Sequence, residues 1–347
     1  MRDFASDNYA GVHPEIMDAL VSANIDHQIS YGDDEYTARL QQVAANNFGD
    51  HAKIYPVFNG TGANVTALQA MAPNRGAVIC AQTAHIHVDE AGAPEHVAGL
   101  KLLPVPTPDG KLTPELIDRE AWGFGDVHRA QPRIVSVSQS SELGTVYSAD
   151  ELRGITEHAH SLGMTVHLDG ARLANAAASL GTTLREISTD VGVDVLSLGG
   201  TKNGLMFGEA VVVLNPDTVT GLDFVRKMNT QLASKMRFLS AQLIALFDGD
   251  LWMRNATHAN AMAARLRARL DAAIAAGQAP GLAFTQSTQV NSVFATLPAG
   301  VADLLREQVR FYDWNAAIGE VRWMTAFDTN EDEVDAFANL VIQTLSA

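Results

Sequence analysis

The sequence predicts an α/β fold, a doubly wound sheet of mainly parallel strands covered by helices and followed by a second, smaller unit. Three observations predict it. Short apolar runs alternate with helical patterns through the first two-thirds of the 347 residues. Several of those runs are apolar on successive residues, the pattern of strands covered on both faces. After about residue 216 the alternation gives way to long helices.

The periodicity predicts helices over 14–24, 35–48 and 62–71, then strands over 77–80, 101–105 and 133–138. A helix over 150–162, opening after Ser148 as a side-chain cap, leads to strands over 164–168, 193–198 and 210–214. Parallel strands need crossovers, and the helices between or beside them supply these. Further on, helices are predicted over 223–246 and over the Ala/Arg-rich 251–276, with short strands near 290–297 and 320–326. The chain divides into an N-terminal arm plus a large domain, residues 1–247, and a small C-terminal domain, residues 248–347. It shows no repeat of fixed period and no low-complexity segment.

Hydrophobic residues make up 47% and charged ones 18%, an ordinary globular balance that excludes a disordered chain. The formal net charge of −16 repels phosphate backbones and anionic membrane surfaces, so neither nucleic acid nor membrane is an expected partner. The basic cluster Arg265-Leu266-Arg267-Ala268-Arg269 reads as the solvated face of a helix. The single cysteine, Cys80, sits in an apolar run and makes neither an internal disulfide nor a zinc cage. The N-terminal MRDFASDNYA lacks the apolar stretch of a signal peptide, and no segment approaches the roughly 18 apolar residues that span a bilayer. A cytoplasmic protein is expected.

Chemistry is sought first among the six lysines. Lys202 stands apart in Gly199-Gly200-Thr201-Lys202-Asn203-Gly204, where glycines allow close approach of the backbone to a ligand and place the amine at the end of a strand. A solvent-exposed loop lysine is the bland alternative. His167-Leu168-Asp169-Gly170-Ala171-Arg172 ends another apolar run, and alternation puts His167 and Asp169 on one side. A carboxylate there can hold a protonated pyridine nitrogen and make the ring an electron sink; a helix cap is the competing role. Lys202 follows 33 residues after Asp169, about one βαβ unit. Asn59-Gly60-Thr61-Gly62-Ala63-Asn64 opens a helix, and its free N–H groups, the helix dipole and the Thr61 hydroxyl suit a phosphate monoester. In Thr83-Ala84-His85-Ile86-His87-Val88-Asp89-Glu90, period two would put His85, His87 and Asp89 on one face, which admits a metal site. The alternatives are a turn from strand into helix with one imidazole stacked on a heteroaromatic cofactor, or a buried structural histidine. No metal is expected.

A phosphate-type turn, a strand-end aspartate and a glycine-flanked lysine in this order resemble the pyridoxal-phosphate enzymes of the aspartate-aminotransferase fold, fold type I. Within them, Phe4-Ala5-Ser6-Asp7-Asn8-Tyr9, Ser30-Tyr31-Gly32-Asp33-Asp34, the Asn59–Asn64 turn, Ala84-His85 with Glu90-Ala91-Gly92, the His167–Arg172 run and Gly200-Thr201-Lys202-Asn203-Gly204 are similar to the low-specificity L-threonine aldolases. The resemblance runs from residue 4 to about residue 328. It implies a mixed, mostly parallel sheet sandwiched by helices and a smaller C-terminal α+β domain. It implies that Lys202 bonds pyridoxal 5'-phosphate, with Thr201 beside it, that Asp169 pairs with the ring nitrogen and that His85 stacks on the ring. Arg172 would lie beside the phenolic oxygen and the substrate. Gly60, Thr61 and Gly62 would hold the phosphate, helped by Arg237 from a neighbouring subunit, while Tyr31 would reach the substrate from the partner chain. Ser6 and Arg322 would clamp the substrate carboxylate. The implied assembly is a homotetramer of dimers with shared active sites.

One departure stands out. Many family members carry Thr-His-Asn-Gly where this chain has Ser140-Ser141-Glu142-Leu143-Gly144, with Glu142 in the place of a histidine that approaches the substrate hydroxyl. The implied reaction is cleavage of L-threonine or L-allo-threonine to glycine and acetaldehyde, with His85, Glu142 and an ordered water as candidate bases, His85 the favoured one. The alternatives are an aldolase preferring L-phenylserine or another bulky β-hydroxy amino acid, a related lyase or aminotransferase, and a non-catalytic cofactor- or amino-acid-binding regulator.

Overall fold

The computed structural model describes residues 3–72 and 76–346. Its centre is a seven-stranded sheet formed by β1 (Lys53–Val57), β2 (Gly76–Ala81), β3 (Lys101–Val105), β4 (Gln131–Ser138), β5 (Thr165–Gly170), β6 (Val195–Leu198) and β7 (Glu209–Val213). The spatial order is β1-β7-β6-β5-β4-β2-β3. Strands β3, β2, β4, β5 and β6 pair in parallel, and β7 is antiparallel to both β6 and β1. The sheet is therefore mixed and mostly parallel. Every residue of β2, β6 and β7 is buried, which is why their sequences are apolar on successive residues, Ser197 and Glu209 excepted, rather than alternating.

Sequence reasoning missed β1. Pro56 is its fourth residue, as Pro104 is of the predicted β3, and a proline has no N–H to give the ladder. β1 occupies an edge of the sheet, where that loss is tolerated. Four helices matter for the site or its surroundings: α1 (Pro14–Ala23), α2 (Glu35–Phe48), α3 (Gly60–Met71) and the single turn α4 (His85–Val88). α4 settles the two secondary-structure readings of 83–90 in favour of strand turning into helix, so the period-two face of His85, His87 and Asp89 does not form. The helix Ala149–Ser161 is closed by a capping box between Ser148 and Glu151.

The helix predicted over 223–246 is two helices, Leu222–Met228 and Arg237–Phe247. Asn229 ends the first, Thr230 takes a left-handed φ of 60°, and the chain returns to a helix only at Arg237. Leu251–Ala275 is one long helix that serves two cores. Its Leu251, Trp252 and Ala256 pack with the seven-stranded sheet and its helices. Further along, Met262, Leu266 and Leu270 pack with Phe4, Trp323 and Phe337. That second core is covered by a four-stranded antiparallel sheet, in the order β10-β11-β9-β8, made of β8 (Ala283–Phe284), β9 (Ser292–Thr296), β10 (Tyr312–Asn315) and β11 (Glu320–Met324). The helix Glu331–Ser346 closes it. Cys80 is fully buried. Among the described residues, no helix is long and apolar enough to cross a membrane.

Candidate active site

A cleft of about 400 Å³ opens at the carboxyl ends of the parallel strands, with Arg322 of β11 and Ser6 of the N-terminal arm also on its wall. Ligands bind at this edge of open α/β sheets because strand ends and helix starts converge there. Lys202 lies in a 3-10 turn, Thr201–Asn203, just after β6. Two glycines make that turn. A Cβ at Gly199 would strike the Ala171 carbonyl, and one at Gly200 would strike Leu205. Glu209 at the start of β7 holds the turn from below. Its Oε2 accepts from the Gly200 N–H at 2.6 Å and its Oε1 from the Thr201 N–H at 3.3 Å. Burial pushes the Glu209 carboxyl up to about 7 against the opposing charge of Lys202. Burial, and then the positive charge of Arg172, lower the Lys202 ammonium from its ordinary value, which favours the neutral, nucleophilic amine.

Asp169 stands near the end of β5. Its Oδ1 accepts from the Ala171 N–H at 3.0 Å and its Oδ2 from Asn64 Nδ2 at 2.9 Å. The same Asn64 amide donates to Glu90 Oε1 at 2.8 Å, and that oxygen lies 2.8 Å from His85 Nδ1. The hydrogen bond to Glu90 raises the His85 pKa, outweighing burial. Glu142 is next to His85 on the other side: its Oε1 accepts from the His85 N–H at 3.0 Å and from Ser138 Oγ at 3.1 Å. Its Oε2 is buried without a partner. Burial and then the charge of Asp169 push the Glu142 carboxyl up to about 7. His167, fully buried, is held between Ser136 and Ser197 and is pushed down to about 4 by burial. It braces the sheet rather than the cleft.

The Asn59–Asn64 turn is the N-terminus of α3, with Asn59 as its cap. Asn59 Oδ1 accepts from the Gly62 N–H at 2.7 Å. Gly60 and Thr61 line the cleft. Gly62 faces elsewhere; a Cβ there would strike Gln231, whose Oε1 accepts from the Phe58 N–H at 2.9 Å. The turn thus presents its anion-binding N–H groups from Gly60 and Thr61.

Arg172 is fixed by Asp7, with Nε to Oδ2 at 2.7 Å and Nη2 to Oδ1 at 2.9 Å. Asn291 donates to the same Asp7 at 3.1 Å. Ser6 caps the turn Asp7–Tyr9, accepting from the Asn8 N–H at 3.2 Å. Arg322 packs its guanidinium 5.0 Å from the Trp314 ring, and its buried Nε has no partner. Burial and then Arg172 lower its pKa to about 10. A guanidinium with an unused donor facing a cleft is suited to a carboxylate.

The structure therefore brings Ser6, Gly60, Thr61, His85, Glu142, Asp169, Arg172, Thr201, Lys202 and Arg322 to one cleft. Tyr31 and Arg237 are not on its wall. The Tyr31 N–H donates to the Ser234 carbonyl at 2.9 Å and Arg237 bonds the Asp26 carbonyl at 3.1 Å, so both lie where residues 26–31 meet residues 234–237. Sequence reasoning missed Asp7, Asn64, Glu90 and Glu209. A lone acid opening the apolar strand Glu209–Val213 was the available signal for the last. Among the described residues, no group of three His, Cys, Asp or Glu side chains is placed to hold a metal ion.

The beta-eliminating lyase family model matches residues 3–298. The chain is similar to the low specificity L-threonine aldolase of Pseudomonas aeruginosa, 42% identical over 97% of this chain and 96% of that one. To the enzyme of the same name from Pseudomonas sp. it is 40% identical over 100% of this chain and 99% of the relative. Among solved structures, a Leishmania major threonine aldolase superposes with a TM-score of 0.92 at 29% identity, covering 100% of each chain.

Proposed function

The chain belongs to the beta-eliminating lyase family and, within it, to the low-specificity L-threonine aldolases, and on that premise we propose that it cleaves L-threonine and L-allo-threonine to glycine and acetaldehyde with pyridoxal 5'-phosphate. The observation that carries this reading is the convergence of Lys202, Asp169, His85 and Arg322 on one cleft. The residues fit the cofactor. Lys202 supplies the amine, Asp169 a carboxylate for a ring nitrogen, His85 a flat face, and Gly60 with Thr61 a helix N-terminus for the phosphate. Thr201 is beside the amine, its hydroxyl accepting from the Gly208 N–H at 3.1 Å. The cofactor supplies, when bound, the electron sink that allows a bond at the substrate's Cα to break.

The chain's own part is to bind, orient and move protons. Arg322 and Ser6 hold the substrate carboxylate, which fixes the bond to be cleaved. Arg172, immobilised by Asp7, keeps a positive charge beside the cofactor's oxygen. Asp169 holds the proton of the ring nitrogen. His85 takes the proton of the substrate hydroxyl, and Glu142, when protonated, donates a hydrogen bond from its unpartnered Oε2 to the oxygen of that hydroxyl. Tyr31 and Arg237, both away from their own cleft, complete the site of a partner chain. The reading includes a cytoplasmic homotetramer of such dimers.

Product analysis tests it. Purified protein with added cofactor should yield glycine and acetaldehyde in equal amounts from L-threonine, without a 2-oxo acid. Turnover that requires a 2-oxo acid would make it an aminotransferase instead.

A further inference from the structure

The geometry points to Glu90 and Asn64 as positioning residues that fix one proton of His85 on Nδ1, leave Nε2 as the atom that exchanges protons, and tie the ring's orientation to Asp169. The inference rests on the reading of His85 as the base. Glu90 is buried, its side chain fully so, whereas the His85 side chain is 39% exposed. One oxygen, Glu90 Oε1, meets both His85 Nδ1 and Asn64 Nδ2 at 2.8 Å. A carboxylate oxygen accepts and does not donate, so the hydrogen between it and the imidazole belongs to Nδ1. Asn64 spends both amide hydrogens on carboxylates, Glu90 and Asp169. The Asn64 amide cannot turn without releasing one of the two acids. A chain of three hydrogen bonds thus joins the histidine to the strand-end aspartate through α3.

The charged groups around the imidazole come from several elements. Glu90 and Asp89 follow α4, Asp169 comes from β5, Lys202 from the turn after β6, and Glu142 bonds the His85 N–H. Glu90 is the one that touches the ring.

Nitrogen-15 spectra of histidine-labelled, cofactor-free protein test the inference. Neutral His85 should carry its proton on Nδ1, and its titration midpoint should lie above the ordinary 6.5. Glu90→Gln keeps an oxygen acceptor and removes the charge, so the midpoint should fall by about 1 pH unit or more. In the loaded enzyme the acid limb of the kcat/KM profile should move with it, while KM on the plateau stays put. Neutral wild-type His85 protonated on Nε2, or a midpoint unchanged by Glu90→Gln, would overturn the inference, and the wild-type spectrum decides even if the variant does not fold. Those results intact but no glycine from any substrate would sink the proposed reaction and spare this arrangement.

Discussion

Lys202→Ala removes the amine from the cleft while leaving the glycine turn and its Glu209 support in place. Turnover should fall by at least about 10³-fold and the visible band of lysine-bound cofactor should vanish. Borohydride fixing the cofactor to another lysine would refute the assignment. Asp7 makes a prediction about stability. Burial works to raise its carboxyl, but the charge and hydrogen bonds of Arg172 prevail and lower it to about 2 from 3.8. A lowered carboxyl stabilises the fold above its unfolded value and ceases to do so as the pH falls through its folded value. Asp7→Asn takes from the largely buried Arg172 the carboxylate that bonds it twice, so at neutral pH urea unfolding should report a loss of about 3 kcal/mol. The gap between variant and wild type should narrow as the pH is lowered from about 5 towards about 2.5; a constant gap would contradict the pairing. The places of Lys202 and Asp169 in the cleft were legible because a glycine turn and a strand end mark them, whereas His85 was singled out among three readings only by the resemblance. Asn64, Glu90 and Glu209 were not assigned, because their part is to bond other site residues, and the partners of a side chain are set by the fold.

At the scale of elements, the turn between β6 and Lys202 is a place where backbone meets backbone. Gly199→Ala forces a Cβ against the Ala171 carbonyl, and a loss of about 2–3 kcal/mol should follow by denaturant unfolding, along with the lysine-bound cofactor. Unchanged stability would show that the turn is slack. Helix caps offer a controlled comparison. Asn59→Ala and Ser148→Ala each remove a side-chain cap, and each should cost about 1 kcal/mol. Only Asn59→Ala should also weaken cofactor binding in a titration, because its helix alone opens onto the cleft. Equal cofactor affinity in both would remove the α3 turn from the site. The helices over 35–48 and 150–162 were legible within a residue, since strong periodicity defines them, and so was the strand over 101–105 despite its Lys101 and Pro104. The break between Leu222–Met228 and Arg237–Phe247 was hidden because no glycine or proline marks it; Thr230 adopts the left-handed conformation instead, and Gln231 is held by the Phe58 N–H.

At the scale of the whole molecule, the account needs a second chain. Tyr31 and Arg237 both lie off their own cleft, and Arg237 keeps a buried Nε without a partner. Lys202→Ala and Arg237→Ala chains, each inactive alone, should regain about a quarter of wild-type activity when refolded together in equal amounts. Half of the dimers are then hybrids, each with one intact site. A mixture no more active than its components would place Arg237 outside any shared site. The central claim is the reaction itself. Its most direct test is glycine formation by the purified protein with pyridoxal phosphate from L-threonine, L-allo-threonine and L-phenylserine in parallel, with Lys202→Ala as the control. The account predicts glycine from L-threonine and L-allo-threonine and none from the control; no glycine from any of the three, with cofactor bound, would contradict it.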